Sequence, residues 1–185
     1  LQTAPAGDTV PALARIDALL TEDPPPSGHT GHHFYWEPAG EEPELLALLT
    51  EPLVWTLATM LTAPRPLLAP SQVQVALTFP PYPHRPGGGH IDGFNPPGPD
   101  GRPGTFTMLA GVVLSDQRHG TPVHAQPGDV LFASYLLSHN IGGNTSGIVR
   151  RTVYFRLKVD SHDQTWQDFL RDKPHDFDAV RTAVR

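Results

Sequence analysis

From Ile148 to Val159 the chain alternates residue by residue, and this stretch constrains the fold more than any other. In an extended strand successive side chains point to opposite faces. Val149, Val153, Phe155, Leu157 and Val159 therefore share one face, with Arg151 as the exception, while Arg150, Thr152, Tyr154 and Arg156 share the other. Gln72 to Phe79 repeats the pattern, setting Val73, Val75, Leu77 and Phe79 against Gln72, Gln74, Ala76 and Thr78. Two such strands call for a sheet with one dry face covered by other elements and one polar face that lines a cavity or meets solvent.

Cover for the dry face is available on both sides of these strands. Glu41 to Leu61 opens with acids and continues with Leu45, Leu46, Leu48, Leu49, Leu53, Trp55, Leu57 and Leu61 at three- and four-residue steps, which predicts a helix broken or kinked at Pro52. A shorter helix is expected from Pro11 to Leu20, with Asp8 or Thr9 as its cap, and one or two more in the tail from Ser161 to Arg185. Thr21 to Gly40 reads as irregular: His29, His32 and His33 are expected there as surface polar groups rather than metal ligands, and Phe34, Tyr35 and Trp36 as packing on the domain or bordering a pocket. Thr105–Leu114, Thr121–Gln126 and Asp129–Leu137 read as further strands, the last of them buried.

With 17 glycines and 22 prolines the chain is rich in turns, which favours many short strands over a helical bundle. The expectation is a mainly β fold with flanking helices: a double-stranded β-helix, or cupin-like jelly roll, of roughly seven or eight strands with helices packed on one sheet. One domain over residues 1–185 suffices, with 1–70 as helical and loop support, 71–159 as the jelly-roll core and 160–185 as a helical tail.

The chain has no cysteine, which excludes disulfides, thiolate metal sites and a cysteine nucleophile. A net charge of −6 gives no general attraction to nucleic acid or anionic lipid, and no basic stripe interleaved with aromatics is present. No apolar run reaches the roughly 18 residues of a membrane span, and the first residues lack the basic and apolar regions of a signal peptide. A cytoplasmic setting is expected. Leu rather than Met stands first, which leaves the natural start open.

Residues suited to chemistry concentrate between His90 and Arg150. His90-Ile91-Asp92 follows Gly87-Gly88-Gly89, and alternation puts His90 and Asp92 on the same side of an extended strand, about 6–7 Å apart along it. Gly128-Asp129-Val130-Leu131-Phe132 leads into Ser138-His139-Asn140, and Arg150-Arg151 opens the next strand. Two imidazoles and one carboxylate can hold a ferrous ion on one face and leave its other positions open. A nearby arginine can grip a carboxylate with two parallel hydrogen bonds. His-x-Asp alone is a weak signal; its conjunction with a second histidine after a strand and an arginine on the next is far more specific. Gly93 to Gly104, rich in Pro, Gly and Asn, reads as a loop that closes over a substrate.

From about Gln72 to Leu157 these residues resemble the phytanoyl-CoA dioxygenase family of iron(II)- and 2-oxoglutarate-dependent oxygenases, on His90-Ile91-Asp92-Gly93, Gly128-Asp129-Val130-Leu131-Phe132, His139, Asn144-Thr145-Ser146 and Arg150-Arg151. The resemblance implies His90, Asp92 and His139 as ligands of Fe(II), Arg150 as partner of the far carboxylate of 2-oxoglutarate, and Arg151 as runner-up. It implies that a small-molecule substrate is hydroxylated with O2 while 2-oxoglutarate is decarboxylated to succinate. Gln74 and Thr107 are further candidates for hydrogen bonds to 2-oxoglutarate, and Arg85, Arg102 and Arg156 for an acidic substrate. Where members of the family often carry a glycine-led segment ending in Pro-Gly-Ser-His, only Gln117 to Gln126 occupies the interval, so the substrate stays unspecified. The rival readings are a cupin-like metal protein without 2-oxoglutarate, needing His84 or His124 as a third histidine, and a non-catalytic jelly-roll module.

Overall fold

The computed structural model describes residues 9–83, 89–90, 106–117, 124–137 and 139–164. Helix α1 spans Thr9–Glu22 and is followed by strand β1, Gly31–Pro38; a 3-10 turn at Ala39–Glu41 then leads into α2, Pro43–Thr50, and α3, Pro52–Thr62. The remaining strands are β2, Gln72–Phe79; β3, Met108–Val113; β4, Val130–Ser134; and β5, Arg150–Leu157. They form one five-stranded sheet in the order β1-β2-β5-β3-β4, antiparallel at every step.

The two strands with the cleanest alternation lie side by side near the centre. Val73 pairs with Phe155 and Val75 with Val153, and all four side chains are fully buried. Across β3, Ala110 and Val112 continue the dry face. Ala12, Ile16 and Leu19 of α1 and Leu45, Leu48 and Leu49 of α2 belong to the same core, each at helical spacing. Burying each large aliphatic side chain contributes about 1.5–3 kcal/mol, so this face is the main source of stability. Arg15 of α1 holds the two helices together by a two-pronged pair to the buried Glu42, with Nε and Nη2 donating at 2.8 and 2.7 Å.

The expected break at Pro52 is present, and α2 and α3 meet at 60°. Proline has no N–H to continue the first helix, so the chain restarts there. Glu51 caps the new helix, its carboxylate accepting from Leu53 N at 2.8 Å and Val54 N at 3.4 Å. Among the described residues no single helix is long and apolar enough to cross a membrane.

Three expectations need correction. The segment read as irregular contains β1, an edge strand whose Phe34-Tyr35-Trp36 run pairs with Ala76, Val75 and Gln74. The strand expected to be buried, β4, is the opposite edge and half-exposed, because only β3 flanks it. Residues 124–126 are not in a strand; the rest of the Thr121–Gln126 expectation lies outside the described residues, as does most of the tail.

Candidate metal and anion site

Register gathers the polar side chains onto the face away from the helices. His32 lies opposite Thr78 and Trp36 opposite Gln74, while Thr78, Ala76 and Gln74 lie opposite Arg150, Thr152 and Tyr154. Tyr154 crosses onto β3 at Gly111, where a Cβ would come within 2.5 Å of the tyrosine ring. Only glycine leaves room for the ring in this position.

Arg150 is a fixed cation of this face. Its Nη2 donates to Gly142 O at 2.8 Å and to Thr78 Oγ1 at 3.2 Å, and its Nη1 donates to Gly143 O at 3.1 Å. Burial pulls its pKa below the ordinary arginine value, yet no described carboxylate forms an ion pair with it. The two carbonyls orient the guanidinium without neutralising it. A shallow, open depression lies beside it, lined by Asp116, Gln117 and the turn from Gly143 to Ser146. Arg151, one residue on, faces the helices and pairs with Asp17 Oδ1 of α1 at 2.9 Å.

Two isolated antiparallel bridges lie beside the turn that holds Arg150. Tyr82 bridges Asn144, with main-chain bonds of 2.8 and 2.6 Å, and His90 bridges His139, with bonds of 2.8 and 2.9 Å. Asn144 ties its turn to the sheet, its Nδ2 donating to Thr78 O at 2.6 Å and Ile148 O at 2.9 Å. Side chains of directly opposed residues emerge on the same side of a ladder. The rings of His90 and His139 accordingly converge, with centroids 4.4 Å apart and planes tilted by 50°. His139 Nδ1 lies 3.0 Å from Leu137 O. A carbonyl only accepts, so Nδ1–H is the donor in this contact, the orientation familiar in histidines that ligate a metal through Nε2.

Of the residues read from the sequence, the structure thus brings His90 and His139 together and sets Arg150 on the polar face. Asp92 lies outside the described residues, with Arg85, Arg102, His84 and the Gly93–Gly104 loop. Gln74 is on the polar face and nearly buried, its Oε1 accepting from Arg156 Nη1 at 2.9 Å. Arg156 stacks on Trp36, 4.6 Å from the ring centroid, and faces Phe106 at 5.5 Å.

Thr107 is elsewhere. Its N–H bonds Leu157 O at the far end of β5, roughly 23 Å along the strand from Arg150. Its hydroxyl accepts from Val159 N at 3.1 Å and meets His162 Nδ1 at 3.0 Å, which joins the strand to the tail. Among the described residues no three His, Asp or Glu gather into a group able to hold a metal, so neither His124 nor the His29, His32 and His33 set forms one.

Thr78 and His32 are the site residues that sequence reading missed as partners of Arg150. The hydroxyl of Thr78 meets His32 Nδ1 at 3.2 Å as well as Arg150. Their meeting depends on the register of β1 on β2, which no local pattern encodes. Comparison of the chain with protein-family models, with curated proteins and with solved structures gives no match in any of the three.

Proposed function

We propose that this chain is an iron(II)- and 2-oxoglutarate-dependent oxygenase that hydroxylates a small molecule, built as a jelly roll to whose second sheet the bridges Tyr82–Asn144 and His90–His139 would belong. One observation carries the reading: two histidines far apart in sequence are locked into main-chain register with their rings convergent, and the segment after the second of them supplies the carbonyls that orient a half-buried arginine. His90, His139 and Asp92 would hold Fe(II), a set whose donor chemistry suits that ion. The Nδ1–H bond of His139 to Leu137 O leaves Nε2 as the ligating atom. Bound iron would supply activation of O2 coupled to decarboxylation of 2-oxoglutarate. The protein's own work is placement: Arg150, pre-oriented by Gly142 and Gly143, receives the far carboxylate, and Gln74 extends the polar lining. Arg151 is committed to Asp17, which favours Arg150 for this role. The cupin-like alternative loses His124 as its third histidine.

The test is an anaerobic titration of the purified protein with ferrous iron and then 2-oxoglutarate, followed by the visible metal-to-ligand charge-transfer band. A band is expected in the parent, its absence in His90→Ala, and a need for far more 2-oxoglutarate in Arg150→Ala but not in Arg151→Ala. Iron binding with no band in the parent points to the cupin-like reading. Absence of iron binding overturns the metal site.

A further inference from the structure

His32 and Arg150 share one hydroxyl group. Thr78 Oγ1 lies 3.2 Å from Nη2 of the arginine and 3.2 Å from Nδ1 of the histidine. A hydroxyl offers one hydrogen and two lone pairs, and a guanidinium only donates. Arg150 therefore occupies one lone pair. When His32 is neutral, the hydroxyl hydrogen can turn to the lone pair on Nδ1. When His32 is protonated, Nδ1–H fills the second lone pair and the hydroxyl hydrogen is released toward another acceptor.

The surroundings of His32 set which state prevails. Facing it are Thr78 of β2, Arg150 of β5, the ring of Tyr82 at 4.7 Å, Phe34 stacked at 6.0 Å, and His29, whose Nε2 lies 3.1 Å from the His32 carbonyl. No described carboxylate stands among them. Burial first, then the charge of Arg150, then that of His29, lower the pKa of the ring below its usual value, so it is neutral in the free site at neutral pH. An anion docked on Arg150 cancels the second of these causes and rewards a charge on the ring.

We propose that His32 is a positioning residue for the anion site, acting through Thr78: a dicarboxylate bound at Arg150 draws a proton from solvent onto His32 and receives the freed Thr78 hydroxyl as an additional donor. The proposal rests on the reading of Arg150 as the carboxylate clamp and names a residue on β1, outside the two alternating strands, as part of that clamp. It makes binding of the dianion a net uptake of one proton, and so tighter as pH falls.

Isothermal titration of 2-oxoglutarate into the manganese-loaded chain, in buffers of different ionisation enthalpy, tests it between about pH 6 and 8. Proton uptake is expected in the parent, with affinity weakening by up to about tenfold per pH unit across the titration of His32. His32→Asn keeps a polar group near the Nδ1 position but cannot titrate; it is expected to bind with no uptake and a flat pH profile. His32→Ala is expected to bind more weakly than His32→Asn, and near-ultraviolet circular dichroism checks that each variant is folded. Binding by the parent without proton uptake, or uptake that persists in His32→Asn, overturns the role of His32 while leaving the clamp intact. No binding by the parent overturns the clamp itself.

Discussion

Arg150 and Arg151 carry the same side chain on adjacent residues of β5, and the sheet sends them to opposite environments. Arg151 points to the helices and meets the largely exposed Asp17, an ordinary tether at the margin of a hydrophobic core. Arg150 points the other way, half-buried among carbonyls and a hydroxyl, with no described carboxylate paired to it. The dry face is mostly apolar packing, and the polar face holds donors and aromatic rings at fixed positions. A half-buried cation with no counter-ion among the described residues gains from an anion beside it. The contrast teaches that stability and chemistry are assigned by the parity of a residue along one strand.

Substitutions can break or sharpen that contrast, and the largest effect belongs to the dry face. Phe155→Ala removes a fully buried ring from the centre of the core and is expected to lower unfolding free energy in urea by about 3–5 kcal/mol. On the polar face the strongest structural response is expected at Gly111. Gly111→Ala puts a methyl group against the Tyr154 ring and is expected to cost about 1–3 kcal/mol, with much of it recovered in the Gly111→Ala/Tyr154→Ala double variant.

Acid should probe the far end of the sheet. His162 is buried, packed edge-on against Tyr135 at 5.1 Å, and its pKa is lowered by that burial first and then by Lys158. A group whose folded pKa lies below its unfolded value contributes stability that is present above the unfolded value, about 6.5 for histidine, and lost as pH falls from there toward the folded value. Urea midpoints compared at about pH 7.5 and 5.5 should therefore drop more in the parent than in His162→Asn. The smallest effect is expected from Arg151→Ala, about 0.2–1 kcal/mol, because its partner is mostly in solvent. A loss of several kcal/mol there would show that the two arginines do not divide their roles as described.

What the sequence made legible follows the same division. β2 and β5 were readable because one face of each is dry, which prints a period of two, and α2 and α3 because leucines recur with a proline between them. β1 was not, since its core-facing positions are His33, Tyr35 and Glu37, of which only Tyr35 joins the core, so no apolar period of two is printed. The β-favouring run Phe34-Tyr35-Trp36, bounded by Gly31 and Pro38, was the signal available. β4 misled in the opposite sense: Val130-Leu131-Phe132-Ala133 is apolar enough for a buried strand, yet Leu131 is 42% exposed on an edge. At the site, the individual residues His90, His139 and Arg150 were legible as types at a spacing. That Thr107 belongs to the tail and Thr78 to Arg150 was not, because both facts depend on pairings made far along the chain.

The bridge between His90 and His139 has a consequence for assembly. Two main-chain hydrogen bonds settle the distance between these rings as part of folding itself, so the entropy of bringing two remote segments together is lost before any ion approaches. If these rings hold the proposed metal, it would meet a chelate half already closed, and a chelator would be expected to strip it while the fold persists, unlike small domains that unfold when their metal leaves.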